Sequence, residues 1–297
     1  MGIESLNSNQ RDARVMLVIG GSSSTKLAQD LAVTLNAEYL PSGTKRFPDG
    51  ECFLRLEKES INDDVVIVQN SSPDGNLVEL FLLQDAAYAL GAKRIINVIP
   101  YFGYARQDKR FNKGEPLSAQ VMADHIMLNC DKVVLVDIHN IDIMDWFDEV
   151  EVVNTFAAPA IGRYFKDSAI DLVLAPDQGA LQRAHLVSEA LNCESDYMIK
   201  TRLSSTQVHM APKSIDCNNK KVLIVDDIIS TGGTIVAATE ELKRAGARSV
   251  YAACTHGLFI GNALDRLKKH CDKIVCANTL ESEVSVVSVA PEVAKAI

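Results

Sequence analysis

KVLIVDDIISTGGTI, Lys221–Ile235, is the stretch from which the rest of this 297-residue chain is read. An apolar run ends in two adjacent acids, Asp226 and Asp227. Two apolar residues follow, and Ser230, Thr231, Gly232, Gly233 and Thr234 then open a segment of helical period. Backbone N–H groups of a glycine-containing loop at a helix N-terminus point at an anion, and the three hydroxyls add donors for the remaining oxygens. The loop is built to seat a monophosphate. The acids lie about one helical turn away, where carboxylates accept from vicinal sugar hydroxyls or from metal-bound water, so ribose 5-phosphate fits the span. An acid pair that caps a helix, followed by ordinary glycine turns, is the plainer alternative. The joint order of strand, acids, hydroxyl-glycine loop and helix argues against it.

Outward from this stretch, short β-branched runs recur at Val15–Ile19, Val65–Val68, Ile95–Ile99, Val133–Val136, Leu172–Leu174 and Val250–Ala253. Buried parallel strands have this pattern. Thr25–Asn36, Leu77–Leu90, Leu117–Asn129, Leu181–Leu191 and Thr234–Ala245 have the length and period of crossover helices. The alternation predicts an α/β protein with mainly parallel sheets flanked by helices. One strand series ends near His139 and a second begins near Asp171, which predicts two similar units, residues 1–153 and 154–297, the last helix packing back on the first. Ligands of open α/β sheets bind beyond the carboxyl ends of strands.

Composition narrows the class. A formal charge of −9 and a pI near 5.2 argue against a nucleic-acid footprint, so any phosphate site is local. Seven scattered cysteines without a CxxC pair fit a reduced, cytoplasmic chain. Met1–Arg14 has no apolar h-region, and no stretch approaches the about 18 apolar residues needed to cross a bilayer, so no membrane is expected.

The loop at Ser230–Thr234 resembles the fingerprint of proteins that bind phosphoribosyl diphosphate, shared by type I phosphoribosyltransferases and ribose-phosphate diphosphokinases. Three N-terminal segments separate the two by resembling the diphosphokinase family: RFPDGE (Arg46–Glu51), PYFGYARQDKR (Pro100–Arg110) continuing into GEPLSA (Gly114–Ala119), and VDIH (Val136–His139). APDQGA (Ala175–Ala180) and the basic pair Lys200 and Arg202 extend the likeness across nearly the whole chain. The short chain and the serine at 230, where longer bacterial and animal enzymes usually carry Asp, resemble the archaeal-type branch.

The resemblance implies two phosphoribosyltransferase-like domains, the first for ATP and the second for ribose 5-phosphate. Phe47, Asp49, Gly50 and Glu51 would meet the adenine end of ATP in a neighbouring subunit of a homo-oligomer. Arg106 and Gln107 would also bind ATP, with the basic Lys109 and Arg110 following them in the same segment. His139 and Asp177 would contact Mg2+, although imidazole is an unexpected partner for so hard a cation and an outer-sphere or phosphate contact is open. Lys200 and Arg202 would be catalytic, Arg202 also contacting the sugar phosphate, both on a loop closing over the reaction. Asp226, Asp227 and Ser230–Thr234 would hold ribose 5-phosphate.

Read by residue type alone, PDG is also a turn, the basic run at 106–110 a solvated loop, and KxR two charged positions on a hairpin. The implied reaction moves a diphosphate from Mg-ATP to the anomeric hydroxyl and releases AMP; no general base stands out. A phosphoribosyltransferase would have no use for the N-terminal half. A catalytically silent relative would have altered active-site positions, which are intact here.

Overall fold

The computed structural model describes residues 16–202, 208–212 and 216–297, with backbone alone for 200–202 and 208–212. In the first half, strands β1 (Met16–Gly20), β2 (Glu38–Pro41), β5 (Asp64–Val68), β6 (Arg94–Ile99), β7 (Lys132–Val136) and β8 (Glu151–Thr155) form one all-parallel sheet in the order β2-β1-β5-β6-β7-β8. Between β2 and β5 the chain makes a separate antiparallel ribbon, β3 (Lys45–Arg46) and β4 (Cys52–Phe53). Helices α1 (Thr25–Leu35), α2 (Asp74–Ala89) and α3 (Ser118–Ile126) make the crossovers.

The second sheet contains β9 (Leu172–Ala175), β10 (Glu194–Arg202), β11 (Val208–Pro212), β12 (Lys221–Ile229), β13 (Ser249–Gly257) and β14 (Lys273–Cys276), ordered β11-β10-β9-β12-β13-β14. All its pairings are parallel except that of β10 with β11. Around it lie α4 (Ala158–Phe165), α5 (Leu181–Leu191), α6 (Gly233–Arg244), α7 (Ala263–His270) and α8 (Ala290–Ala294). From β9 the chain crosses to β10 on one side, and from β12 to β13 on the other. The strand order therefore reverses between β9 and β12, the kind of crevice in which ligands of open sheets bind. Pairing of β12 with β9 ends at Ile224, so Val225–Ile229 runs on past its neighbour.

Central strands are apolar on both faces because helices cover both: Val65–Val68 and Val133–Val136 are all buried. One apolar layer joins the halves. Val18, Val66 and Val134 of the first sheet share a cluster with Val173, Ala175 and Leu223 of the second, around the fully buried Phe165. Helix α8 lies against α1, and just before it Ser288 Oγ donates to Asp30 Oδ2 at 2.8 Å. Residues at the ends of the two sheets are thus held by a common core. Among the described residues no helix is long and apolar enough to cross a membrane.

Lys200 and Arg202 depart from the sequence reading, which placed both on a loop. Strand β10 continues through both, with Lys200 opposite Met210 and Arg202 opposite Val208. Antiparallel pairing with β11 supplies the partners that prolong it.

Candidate active site

The loop after β12 forms a cradle at the crevice. Gly232 precedes α6 as its N-terminal cap with φ +73° and ψ 3°, a left-handed conformation that glycine adopts at least cost. A Cβ at Gly233 would find its nearest atom 4.0 Å away, at Thr231 Oγ1, so open space lies over this residue. Behind the loop, the Arg266 guanidinium donates to the Thr231 carbonyl. A cavity of about 500 Å³ is lined by the whole Ser230–Thr234 run together with Asp226, Asp227, Asp177, His139 and Arg106. Residues from both halves of the chain, widely separated in sequence, therefore face one space.

The acids of this cavity are unequal. Asp227 Oδ2 accepts from His139 Nδ1 at 2.7 Å and stands 3.8 Å from Arg183 Nη2, while its Oδ1 accepts from the Ile228 N–H at 2.8 Å. Burial pushes Asp227 up, but the His139 hydrogen bond and the Arg183 charge outweigh it and hold the group well below the usual carboxylate range. Burial also acts on Asp226, and the negative Asp227 beside it adds to the effect; its pKa rises to about 8, with Asp177 contributing in the same direction. The surroundings thus favour the protonated form of Asp226. Asp177 uses Oδ1 to cap the turn before α5, accepting from Gly179 N at 2.9 Å and Ala180 N at 3.2 Å. Among the described residues no three of His, Cys, Asp and Glu are grouped to hold a metal by themselves. A hard divalent ion here would complete its shell with phosphate oxygens and water, as Mg2+ commonly does.

A second cavity, about 590 Å³, opens on the other side of Arg106 and Ile228, which line both spaces. Tyr101, Tyr104, Asp74 and Gln107 are among its walls. Tyr104 has φ +67° and its hydroxyl donates to Asp74 Oδ1 at 2.7 Å. Gln107 Oε1 accepts from Ser118 Oγ at 2.5 Å, which fixes the amide against the start of α3. The further basic residues turn elsewhere: Lys109 lies over the Phe111 ring at 5.3 Å, and Arg110 Nε donates to the Glu115 carbonyl at 3.1 Å.

Phe47, Asp49, Gly50 and Glu51 line neither cavity. They form the exposed tip of the β3–β4 ribbon, a turn in which Gly50 has φ +95° and Asp49 Oδ1 accepts from the Glu51 N–H at 3.0 Å. Phe47 packs only loosely, its ring centroid 5.9 Å from that of Phe53, and is 50% exposed. Arg46 anchors the ribbon to the rim of the second cavity, donating to the Gly75 carbonyl at 2.9 Å. For Lys200 and Arg202 the strand position is described, and their side chains lie outside the described residues.

Tyr101, Tyr104, Ile228, Arg183 and Asp137 were not picked out by residue type. Tyr101, Tyr104 and Ile228 sit inside motifs already singled out, beside the residues chosen. Arg183, in the first turn of α5, reads locally as one more surface charge.

A parallel sheet with an acid pair and a hydroxyl-glycine loop at its switch point defines a phosphoribosyltransferase-type domain, and residues 139–293 match the family model described as the phosphoribosyl transferase domain. Residues 16–128 match that of the N-terminal domain of ribose phosphate pyrophosphokinase. The ribose-phosphate pyrophosphokinase of Methanopyrus kandleri is 40% identical over 288 residues, 95% of this chain and 98% of its own. That of Thermococcus kodakarensis is 39% identical over 281 residues, 94% and 99% of the two chains. The crystal structure of phosphoribosylpyrophosphate synthetase from Mycobacterium smegmatis superposes with a TM-score of 0.81 at 28% identity, covering 95% of this chain and 97% of that one. The chain belongs to the ribose-phosphate pyrophosphokinase family.

Proposed function

We propose that the chain transfers the β,γ-diphosphate of ATP to the anomeric hydroxyl of ribose 5-phosphate, forming 5-phosphoribosyl 1-diphosphate and AMP for nucleotide biosynthesis. The observation that carries this reading is the meeting of two cavities at Arg106 and Ile228, one floored by a phosphate cradle with an acid pair, the other walled by Tyr101, Tyr104 and Gln107. A sugar phosphate in the first and a nucleotide in the second would bring an anomeric oxygen and a β-phosphorus together at the junction. The new bond joins that oxygen to the β-phosphorus as the bond between the β-phosphorus and the α,β-bridging oxygen breaks. Such transfers depend chiefly on position and on neutralising phosphate charge.

The N–H groups of the Ser230–Thr234 loop hold the 5-phosphate, and Asp226 and Asp227 orient the ribose hydroxyls. Arg106, common to both cavities, counters the triphosphate charge. Lys200 stabilises charge developing at the transferred group, and Arg202 holds the sugar phosphate. Mg2+ would be contacted by His139 and Asp177, and when bound would neutralise triphosphate oxygens. His139 spends Nδ1 on Asp227, which leaves Nε2 for a water or a phosphate oxygen.

A homo-oligomer with a shared nucleotide site is part of the same reading. Phe47, Asp49, Gly50 and Glu51 are exposed on their own chain and available to a neighbour's second cavity. Val78, Leu82 and Tyr88 of α2, with Val121 and Leu128 beside it, form a face 37–64% exposed that would be covered by a second copy. Seven free cysteines fit a reducing cytoplasm.

Purified protein with Mg2+, ATP and ribose 5-phosphate should release AMP and the diphosphorylated sugar in equal amounts, and chelation should stop both. Absence of both products across metals and phosphate concentrations would overturn the proposal.

A further inference from the structure

Asp137, the residue after β7, has φ +45° and is 1% exposed. A buried non-glycine residue in the left-handed region is uncommon, and something must hold it. Its carboxylate is fully engaged. Oδ2 accepts from the Ala157 N–H at 2.9 Å and from Thr255 Oγ1 at 2.6 Å, and Oδ1 accepts from Arg183 Nε at 3.1 Å. The Asp137 carbonyl also faces His256 Nε2 at 3.4 Å. Thr255, His256 and Arg183 come from the second half of the chain, Asp137 from the first.

Arg183 continues the chain of charges. Its side chain is 15% exposed, and Nη2 reaches to 3.8 Å from Asp227 Oδ2, the oxygen that takes the His139 hydrogen bond. The result is a closed ring through Asp137, Arg183, Asp227 and His139, whose two ends are two residues apart. One leg, His139 to Asp227, carries an imidazole side chain 41% exposed to water. The opposite leg, Asp137 to Arg183, is almost wholly buried, where ionic hydrogen bonds are stronger and stiffer. Helix stability does not account for Arg183, because a cation in the first turn opposes the helix dipole. Lysine could not replace it in this geometry: a point charge satisfies one carboxylate, whereas the guanidinium donates to Asp137 through Nε and still brings the charge of Nη2 to 3.8 Å from Asp227.

We propose that Arg183, braced by Asp137, is a positioning residue that locks Asp227 and His139 together and so sets the spacing between the sugar and nucleotide cavities. This rests on the reaction proposed above. Arg183 touches neither substrate; it acts through Asp227.

Arg183→Ala and Arg183→Lys test it. Both should keep the wild-type circular dichroism spectrum, and Lys, which retains the charge beside Asp137, should keep the melting temperature as well. In both, kcat should fall by about 100-fold, the cost of a small misplacement at a reacting centre, with the KM for ATP little changed. Methylguanidinium should restore turnover to Arg183→Ala but not to the double variant with Asp137→Asn, which lacks the brace. Amide hydrogen exchange at Asp227–Thr231 should quicken in both single variants without substrates present.

Wild-type exchange at these amides in a folded Lys variant would overturn the inference, as would a loss of kcat in Arg183→Ala that methylguanidinium leaves untouched. If wild-type protein releases no AMP, the reaction is wrong, and the exchange rates still decide whether Arg183 positions the loop.

Discussion

Replacing Gly232 by alanine attacks the proposed phosphate cradle at the residue whose backbone an L-side chain tolerates least. Its φ of +73° puts it in the left-handed region, where a Cβ crowds its own backbone at a cost of about 1–2 kcal/mol. The new methyl would also stand 3.0 Å from Leu267 Cδ1 and 3.1 Å from its Cγ, contacts that the leucine can relieve by a small shift. The cost is expressed in one of two ways. If the loop keeps its shape, the folded state loses about 1–2 kcal/mol, or roughly 2–8 °C of melting temperature. If the loop relaxes, its N–H groups swing off the phosphate, and each 1.4 kcal/mol lost from binding is about tenfold in affinity.

Gly233→Ala is the matched control. This residue starts α6 outside the left-handed region, and alanine there should be neutral or stabilise by about 0.4–1 kcal/mol through the unfolded chain. Its methyl enters the open space over the cradle and should raise the KM for ribose 5-phosphate without lowering the melting temperature. Thermal denaturation and initial rates on the two variants give four numbers. Wild-type melting and KM in Gly232→Ala, or a larger loss of stability in Gly233→Ala, would refute the reasoning.

Other consequences are equally open to measurement. Burial lowers the His256 imidazole below its usual pKa, the Asp137 and Asp227 charges only partly opposing this. The stability due to its neutral form should be complete above the unfolded value of about 6.5 and decline as pH falls below it, because only the unfolded chain takes up the proton; His256→Gln should flatten the urea midpoint between pH 7.5 and 5.5 relative to wild type, and parallel curves would count against burial as the cause. Phe47→Ala and Arg106→Ala should each be nearly inactive alone and regain activity when mixed under conditions of subunit exchange, since a hybrid site would pair an intact ribbon with an intact cavity; no recovery would place both residues in one subunit's site. Lys200→Ala should lower kcat by about 10²–10³ while ribose 5-phosphate still binds near normally by calorimetry, and lost binding with unchanged turnover at saturation would reverse the assignment.

Parts of this architecture were legible because local chemistry repeats itself. Central strands such as Val65–Val68 and Val133–Val136 are covered on both faces and read as unbroken apolar runs. The edge strands β2, Glu38–Pro41, and β8, Glu151–Thr155, escaped notice: each has one open side, and their residues are mixed in polarity. Strand β10 runs on through Lys200 and Arg202 because β11 pairs with it, a condition that Lys-Thr-Arg does not announce. The two functional readings of RFPDGE differ in the same way, since a turn is visible in PDG whereas its distance from the chain's own cavities is not.

The amino-acid sequence by itself determined the α/β alternation, the hydroxyl-glycine loop at Ser230–Thr234 and the acids preceding it, because each depends on neighbours within one strand, loop or helical turn. Only the tertiary structure decided that His139 meets Asp227 across 88 positions of sequence, that Arg106 stands between two cavities and that Arg183 lies between Asp137 and Asp227. Those pairings arise when the two sheets close over one apolar layer around Phe165, and the energy of that closure is spread over many side chains that carry no local mark of which polar groups they will bring together.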